Sequence, residues 1–281
     1  MDRLFESFLR EKEFLVNVSP RTLKYYRWTL EIWKKRIGQM PTKANLKEFV
    51  IQLQQSGIST STTNSYIRGM NSFFTWLYEN EHTPEKLRIK PLKEPQKVLK
   101  VFSDEQIKRL LSYKAKTFAQ HRFYSLLCFV LDTGVRIDEA LSLERSKLDM
   151  ENLLVTVRGK GNKERTIPIN LECRKLLFKF LKRHQFDLVF PTREGSKVSY
   201  RNALDQFKDT CKALHITGVR TSWHTLRHHY ALNHIRQGGD VFSSQRMLGH
   251  TSLEVTRIYV NLGTEDLSLI HRKTSILSRL R

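Results

Sequence analysis

His224-Thr-Leu-Arg-His-His-Tyr230, then Met247-Leu-Gly-His-Thr-Ser252, then Thr256-Arg-Ile-Tyr259 are the stretches that decide how this chain reads. Their periodicity predicts consecutive short helices at 224–236, 241–248 and 252–258. His224, Arg227, His250 and Tyr259 arrive on them in that order. Together such groups are able to grip a phosphodiester and attack it. That chemistry needs a nucleophile, positive charge on the non-bridging oxygens, and a proton for the leaving oxygen.

The rest of the chain suits a polyanionic partner. It has 281 residues with 49 Lys and Arg against 28 Asp and Glu, a net charge of +21. The excess is spread along the chain, which predicts a basic surface that draws in phosphate chains and releases their counterions. An anionic membrane is the competing partner, but no predicted helix separates basic and apolar faces as membrane binding requires. No stretch approaches the roughly 20 apolar residues of a membrane span. Met1-Asp-Arg-Leu-Phe-Glu6 carries no apolar signal core. Cys128, Cys173 and Cys211 are far apart and odd in number, fitting neither a disulfide framework nor a zinc pattern. The expectation is a reduced, cytoplasmic, nucleoid-associated protein with no cofactor and no metal.

The length of 281 residues predicts about two domains. Residues 1–83 read as helices: 2–16, one opened by Ser19-Pro20 and stopped near Gly38, 43–55, and 61–78. Residues 84–100 then hold three prolines and six basic side chains in seventeen positions, which predicts an extended basic linker (84–101) making no packed element. A second domain, 102–281, starts with a helix capped by Ser103, followed by helices at 121–132 and 136–143. A hairpin pairs Leu153–Val157 with Arg165–Ile169 around the tip Gly159-Lys-Gly-Asn162. Helices at 171–184, 199–213 and about 265–280 complete it. The fold class expected is mainly α, with a mixed α/β second domain around a small antiparallel hairpin sheet.

Taken singly, the reactive residues are ordinary. Arg136, projecting from a Thr-Gly turn with Glu139 three positions on, also fits a surface ion pair. His224 and Arg227 stand three apart at a helix start, where the backbone field favours an anion. His224 and His228 are spaced to hold a metal, but no third ligand of the His-Glu-x-x-His kind follows. One of His228, His229 and His234 fits a satisfied core histidine. Lys160 at the hairpin tip fits a mobile proton donor, a role Lys163 competes for, and equally a basic turn. Tyr259 alone reads as a core tyrosine, since a phenol of pKa about 10 needs cations nearby to become a nucleophile.

In order and together, these pieces resemble the tyrosine recombinase (phage integrase) family. The matching segments are Thr133-Gly-Val-Arg136-Ile-Asp-Glu139-Ala-Leu-Ser-Leu143, Gly159-Lys160-Gly-Asn-Lys-Glu-Arg165, His224-Thr-Leu-Arg227-His228, Leu248-Gly-His250-Thr-Ser252 and Thr256-Arg-Ile-Tyr259. The motif resemblance covers roughly 102–260; residues 1–83 fit the family's core-binding domain by position and pattern alone.

The resemblance implies that Tyr259 attacks the scissile phosphate, forming a 3′-phosphotyrosyl bond and freeing a 5′-hydroxyl without metal or ATP. It implies that Arg136 and Arg227 hold the non-bridging oxygens, that His224 and His250 support the transition state and proton transfer, and that Lys160 is the general acid. Glu139 and His228 would support them from behind. The partner implied is double-stranded DNA bearing a core site. Four protomers would form the synapse, from a free monomer or dimer, with accessory proteins as further partners. An amphipathic segment at about 264–281 would dock into a neighbouring protomer or onto its own domain. No arm-binding segment precedes the first helices, which points to compact recombinases of the Xer or transposon-resolution type. A type IB topoisomerase shares this chemistry and stands as the alternative enzyme; a binding protein without catalysis is the alternative of another class.

Overall fold

Ser19 accepts a hydrogen bond from the Thr22 amide, and Pro20 follows at the first helical position, as its fixed φ allows. The computed structural model describes residues 1–94, 100–159 and 163–249, together with Ser268 and His271. The chain divides into two units, Met1–Lys97 and Val98–Arg281.

The first unit carries α1 (Asp2–Phe14), α2 (Pro20–Arg36), α3 (Lys43–Gln55) and α4 (Thr60–Glu79). Its core is aromatic. Phe8, Trp33, Phe49, Phe73 and Phe74 are fully buried, and Phe8 meets Tyr26, Phe73 and Trp76 edge-to-face. The expectation that residues 84–101 make no packed element is corrected for the stretch up to Glu94. Leu87 and Ile89 are buried in this core. The Asn71 amide both accepts from and donates to the backbone of Ile89, at 2.8 and 2.9 Å. Asn64, seven residues earlier on α4, does the same for Leu92, at 2.8 and 2.9 Å. Two asparagines on one helix face thus replace the partner strand that an extended segment otherwise needs.

The second unit contains α5 (Asp104–Leu111), α6 (Phe118–Thr133), α7 (Ile137–Leu141) and a 3₁₀ turn at Arg145–Lys147. Strands β1 (Leu148–Asp149), β2 (Leu154–Arg158) and β3 (Glu164–Pro168) follow. Helices α8 (Leu171–Leu181), α9 (Tyr200–Ala213), α10 (Trp223–Arg236) and α11 (Val241–Leu248) complete the described elements. The fold is mainly helical with one small antiparallel sheet of order β1-β2-β3. The sheet is thus a hairpin with a third strand added, Leu148 pairing with Val155. Val155, Val157 and Ile167 turn one face of the sheet into the core. α6 begins at Phe118 rather than 121, because the Thr117–Gln120 capping box starts it a turn early. The expected helices at 252–258 and 265–280, and the hairpin tip at 160–162, lie outside the described residues but for Ser268 and His271. Among the described residues no helix is long and apolar enough to cross a membrane, and no cluster of three metal-ligating side chains occurs.

Candidate active site

The site is built where α6 stops, α7 and α10 start, and α11 ends. Gly134 ends α6 at φ +63°, and a Cβ there would lie 2.3 Å from the Tyr230 ring, so a glycine is required on both counts. Two residues on, Arg136 is the N-cap of α7. Its amide donates to Glu139 Oε2 at 2.9 Å and its Nη1 to Oε1 at 3.0 Å. The three-residue spacing therefore has the consequence read from the sequence, but this is not a surface pair. The Glu139 side chain is 4% exposed, and Arg165 from β3 grips the same carboxylate with Nη1 at 2.9 Å and Nη2 at 2.8 Å.

Burial alone would push the Glu139 carboxyl up. Hydrogen bonds and charge from Arg165, then the Arg136 contacts, outweigh it and hold the carboxyl below its ordinary value of 4.5. A depressed folded-state pKa stabilises the protein above the unfolded value, and that stability drains away as pH falls through the folded one. Glu139→Gln is therefore expected to be less stable than the parent at pH 7 by about 2–3 kcal/mol. The gap should close below about pH 4.5. Melting temperatures of both proteins across pH measure this; a gap independent of pH would refute it.

Ser222 caps α10 by accepting from the Thr225 amide at 3.2 Å, which sets His224 and Arg227 on the first turn. Arg227 is 1% exposed. It donates from Nη1 to the Gly134 carbonyl and from Nη2 to the Leu248 carbonyl, both at 2.7 Å. His224 lies at the surface with its ring edge-to-face on His228, centroids 4.3 Å apart. Desolvation on its protein side, then the charges of Arg227, Arg136 and Arg220, push its pKa down. At neutral pH the ring is uncharged and able to donate or accept. His229 and His234 are the structurally satisfied histidines, Nδ1 of the first on the Phe102 carbonyl and Nε2 of the second on Ser243 Oγ.

α11 ends at Gly249, φ +66°. Three guanidiniums close on its last carbonyls. Arg165 Nε donates to Met247 O at 2.9 Å; Arg136 Nη1 and Nη2 donate to Leu248 O at 3.4 Å and Gly249 O at 3.2 Å. Arg227 also reaches Leu248 O. Positive charge at the carbonyl end of a helix satisfies orphan acceptors and opposes the backbone dipole. Residues 136 and 227, ninety-one positions apart, thus meet on one oxygen. The chain runs from Gly249 directly into His250, and from Gly159 directly into Lys160. Lys160, His250 and Tyr259 lie outside the described residues.

The sequence reading assigned Arg165 no role of its own. Strand parity would have found it. Arg165 pairs with Val157 and shares a face with Ile167, so an arginine occupies an inward position of an amphipathic strand. A charge there needs a buried partner, and Glu139 is that partner.

Comparison with known proteins fits this arrangement. Residues 100–265 match the phage integrase family. The chain belongs to this family, the tyrosine recombinases. It is 28% identical to tyrosine recombinase XerA of Thermococcus kodakarensis, over 98% of this chain and 95% of that protein. It is also 28% identical to tyrosine recombinase XerD of Haemophilus ducreyi, over 97% of each. Among solved structures, its fold resembles XerH bound to palindromic difH DNA, with TM-score 0.76 and 20% identity over 97% of this chain and 84% of that one. It also resembles the Tn1549 transposon integrase in complex with a circular intermediate DNA, with TM-score 0.79 and 17% identity over 96% of this chain and 99% of that one.

Proposed function

We propose that this recombinase cuts and rejoins double-stranded DNA at a specific core site through a 3′-phosphotyrosyl bond to Tyr259. The observation that carries the reading is the meeting of Arg136 and Arg227 on the Leu248 carbonyl, at 3.4 and 2.7 Å. Guanidiniums that share one oxygen lie close enough to share one phosphate. Each binds phosphate through a planar fork of donors.

In this reading the Tyr259 phenol gives its proton to His224 or His250, its oxygen attacks phosphorus, the bond to the 5′-oxygen breaks, and Lys160 delivers the proton that oxygen needs. Arg136 and Arg227 neutralise the charge growing on the non-bridging oxygens, with His224 and His250 as hydrogen-bonding support. Glu139 and His228 steady Arg136 and His224 from the protein side. The guanidiniums supply the positive charge, so no step is assigned to a metal or to ATP; the covalent bond conserves the energy needed for resealing. Residues 1–94, with the stretch after 84 packed into the same core, serve as the core-binding clamp, and 102–281 as the catalytic domain. The segment at 264–281 serves in exchange between protomers of a homotetramer assembled from free monomers or dimers, with accessory proteins as further partners. The setting proposed is the cytoplasmic nucleoid.

The test is covalent capture. The protein is incubated with nicked fragments of its source genome and denatured, and the attached DNA and peptide are identified. An adduct on Tyr259 at one recurrent sequence is expected. Adducts at scattered sequences would favour a topoisomerase, and no adduct would leave a binding protein. Affinity for a core-site duplex should fall steeply with salt, the slope growing by about 0.9 for each phosphate contacted. A flat dependence, read by fluorescence anisotropy, would refute binding through the phosphate chain.

A further inference from the structure

We infer that Arg165 is a positioning residue that sets Gly159 and Gly249, the residues that lead into Lys160 and His250, against one guanidinium. The inference rests on the roles proposed above for Lys160 and His250. Every nitrogen of the Arg165 guanidinium is engaged inside the protein: Nε with Met247 O, Nη1 and Nη2 with Glu139. Its side chain is only 14% exposed, so it is placed to hold the site together rather than to take up phosphate.

Glycines flank this guanidinium. A Cβ on Gly249 would stand 3.0 Å from Arg165 Cζ, Nε and Nη1. A Cβ on Gly159 would stand 3.4 Å from Arg165 Nη1 and 3.3 Å from Glu139 Oε1. At 249 a side chain would both press on the guanidinium and strain a left-handed φ of +66°, whereas at 159 a methyl would fit only tightly, so the neighbours must give by a few tenths of an ångström. Each glycine immediately precedes a proposed catalytic residue, Gly159 before Lys160 and Gly249 before His250. The Gly159 amide donates to the Lys163 carbonyl at 2.8 Å, which ties together the two ends of the segment that carries Lys160. Lysine at 165 would keep the charge but lose the fork that spans Glu139 and Met247.

Single-turnover cleavage of a nicked core site is the readout, on ordinary DNA and on DNA whose 5′-bridging oxygen is sulfur. Sulfur leaves without a proton, so it removes the need for Lys160. Melting temperature and DNA affinity are measured alongside. Arg165→Lys should bind DNA as the parent does and cleave ordinary DNA about 100-fold more slowly, the cost of displacing reacting groups by roughly 1 Å. Sulfur should recover part of that loss, because the His250 side stays displaced. Gly159→Ala should lose roughly 10-fold on ordinary DNA and recover fully with sulfur, since it moves only the lysine turn.

Arg165→Lys cleaving at the parental rate would overturn the inference. So would a loss of equal size on both DNAs, or one fully matched by lost DNA affinity or lost folded protein. If Arg165→Lys does not fold, Gly159→Ala decides by the same comparison. Lys160→Ala runs as the control. If sulfur does not restore it, the acid assignment fails, and Arg165 is then judged by its loss on ordinary DNA at parental affinity and melting temperature.

Discussion

Tyr259→Phe is expected to abolish covalent attachment altogether while leaving DNA affinity unchanged. The phenol oxygen is the one atom in the proposed reaction for which nothing substitutes: phenylalanine keeps the ring and removes the nucleophile. Arginines and histidines around an intact phosphate stabilise a transition state that no longer forms. Phosphate contacts dominate affinity for DNA, and the lost hydroxyl is a single neutral group among them. Denaturing gels on a nicked core site measure the first half and anisotropy the second. A surviving adduct in the variant would move the nucleophile elsewhere.

Arg227→Ala should strike catalysis and folding together. Cleavage is expected to fall by about 10²–10³-fold or more, the usual cost of removing one donor from a developing oxyanion. The same change orphans the Gly134 carbonyl and leaves Leu248 O with only the longer 3.4 Å bond from Arg136, where a side chain 1% exposed had given each a 2.7 Å bond. One unsatisfied buried acceptor costs roughly 1–3 kcal/mol and the weakened second bond adds to it, so a loss of about 3 kcal/mol is expected. For a unit of this size that corresponds to a melting temperature lower by roughly 6–12 °C. Calorimetry and single-turnover cleavage on one preparation test both effects. A variant that melts like the parent would show that the Gly134 and Leu248 carbonyls do not depend on Arg227.

Local signals made most of the helices legible. Ser19-Pro20, the Ser103–Gln106 box and Thr133-Gly134 mark starts and stops that side-chain and backbone chemistry enforces nearby. Arg136 and Glu139 were legible as partners for the same reason, being one helical turn apart. What escaped depends on distant partners. β1 is two residues long and exists only because β2 offers it a ladder. The segment up to Glu94 packs because Asn64 and Asn71 on α4 receive its backbone, and its prolines and lysines carry no sign of that. The burial of Glu139 follows from Arg165, twenty-six residues away on a strand. The burial of Arg227 follows from the Gly134 and Leu248 carbonyls, which lie far from it in sequence.

The gathering of Arg136, Arg165 and Arg227 at the carbonyl end of α11 has a thermodynamic consequence. Guanidiniums repel one another, and bringing three together at one helix end, with a single carboxylate shared by two of them, is unfavourable work. Here that work is done as the chain folds, with backbone carbonyls as temporary counter-dipoles. In the reaction proposed above, a phosphate that takes their place would meet donors already aligned, and little reorganisation energy would be left to the reaction itself. Part of the activation barrier is thereby moved out of turnover and into the stability of the free protein.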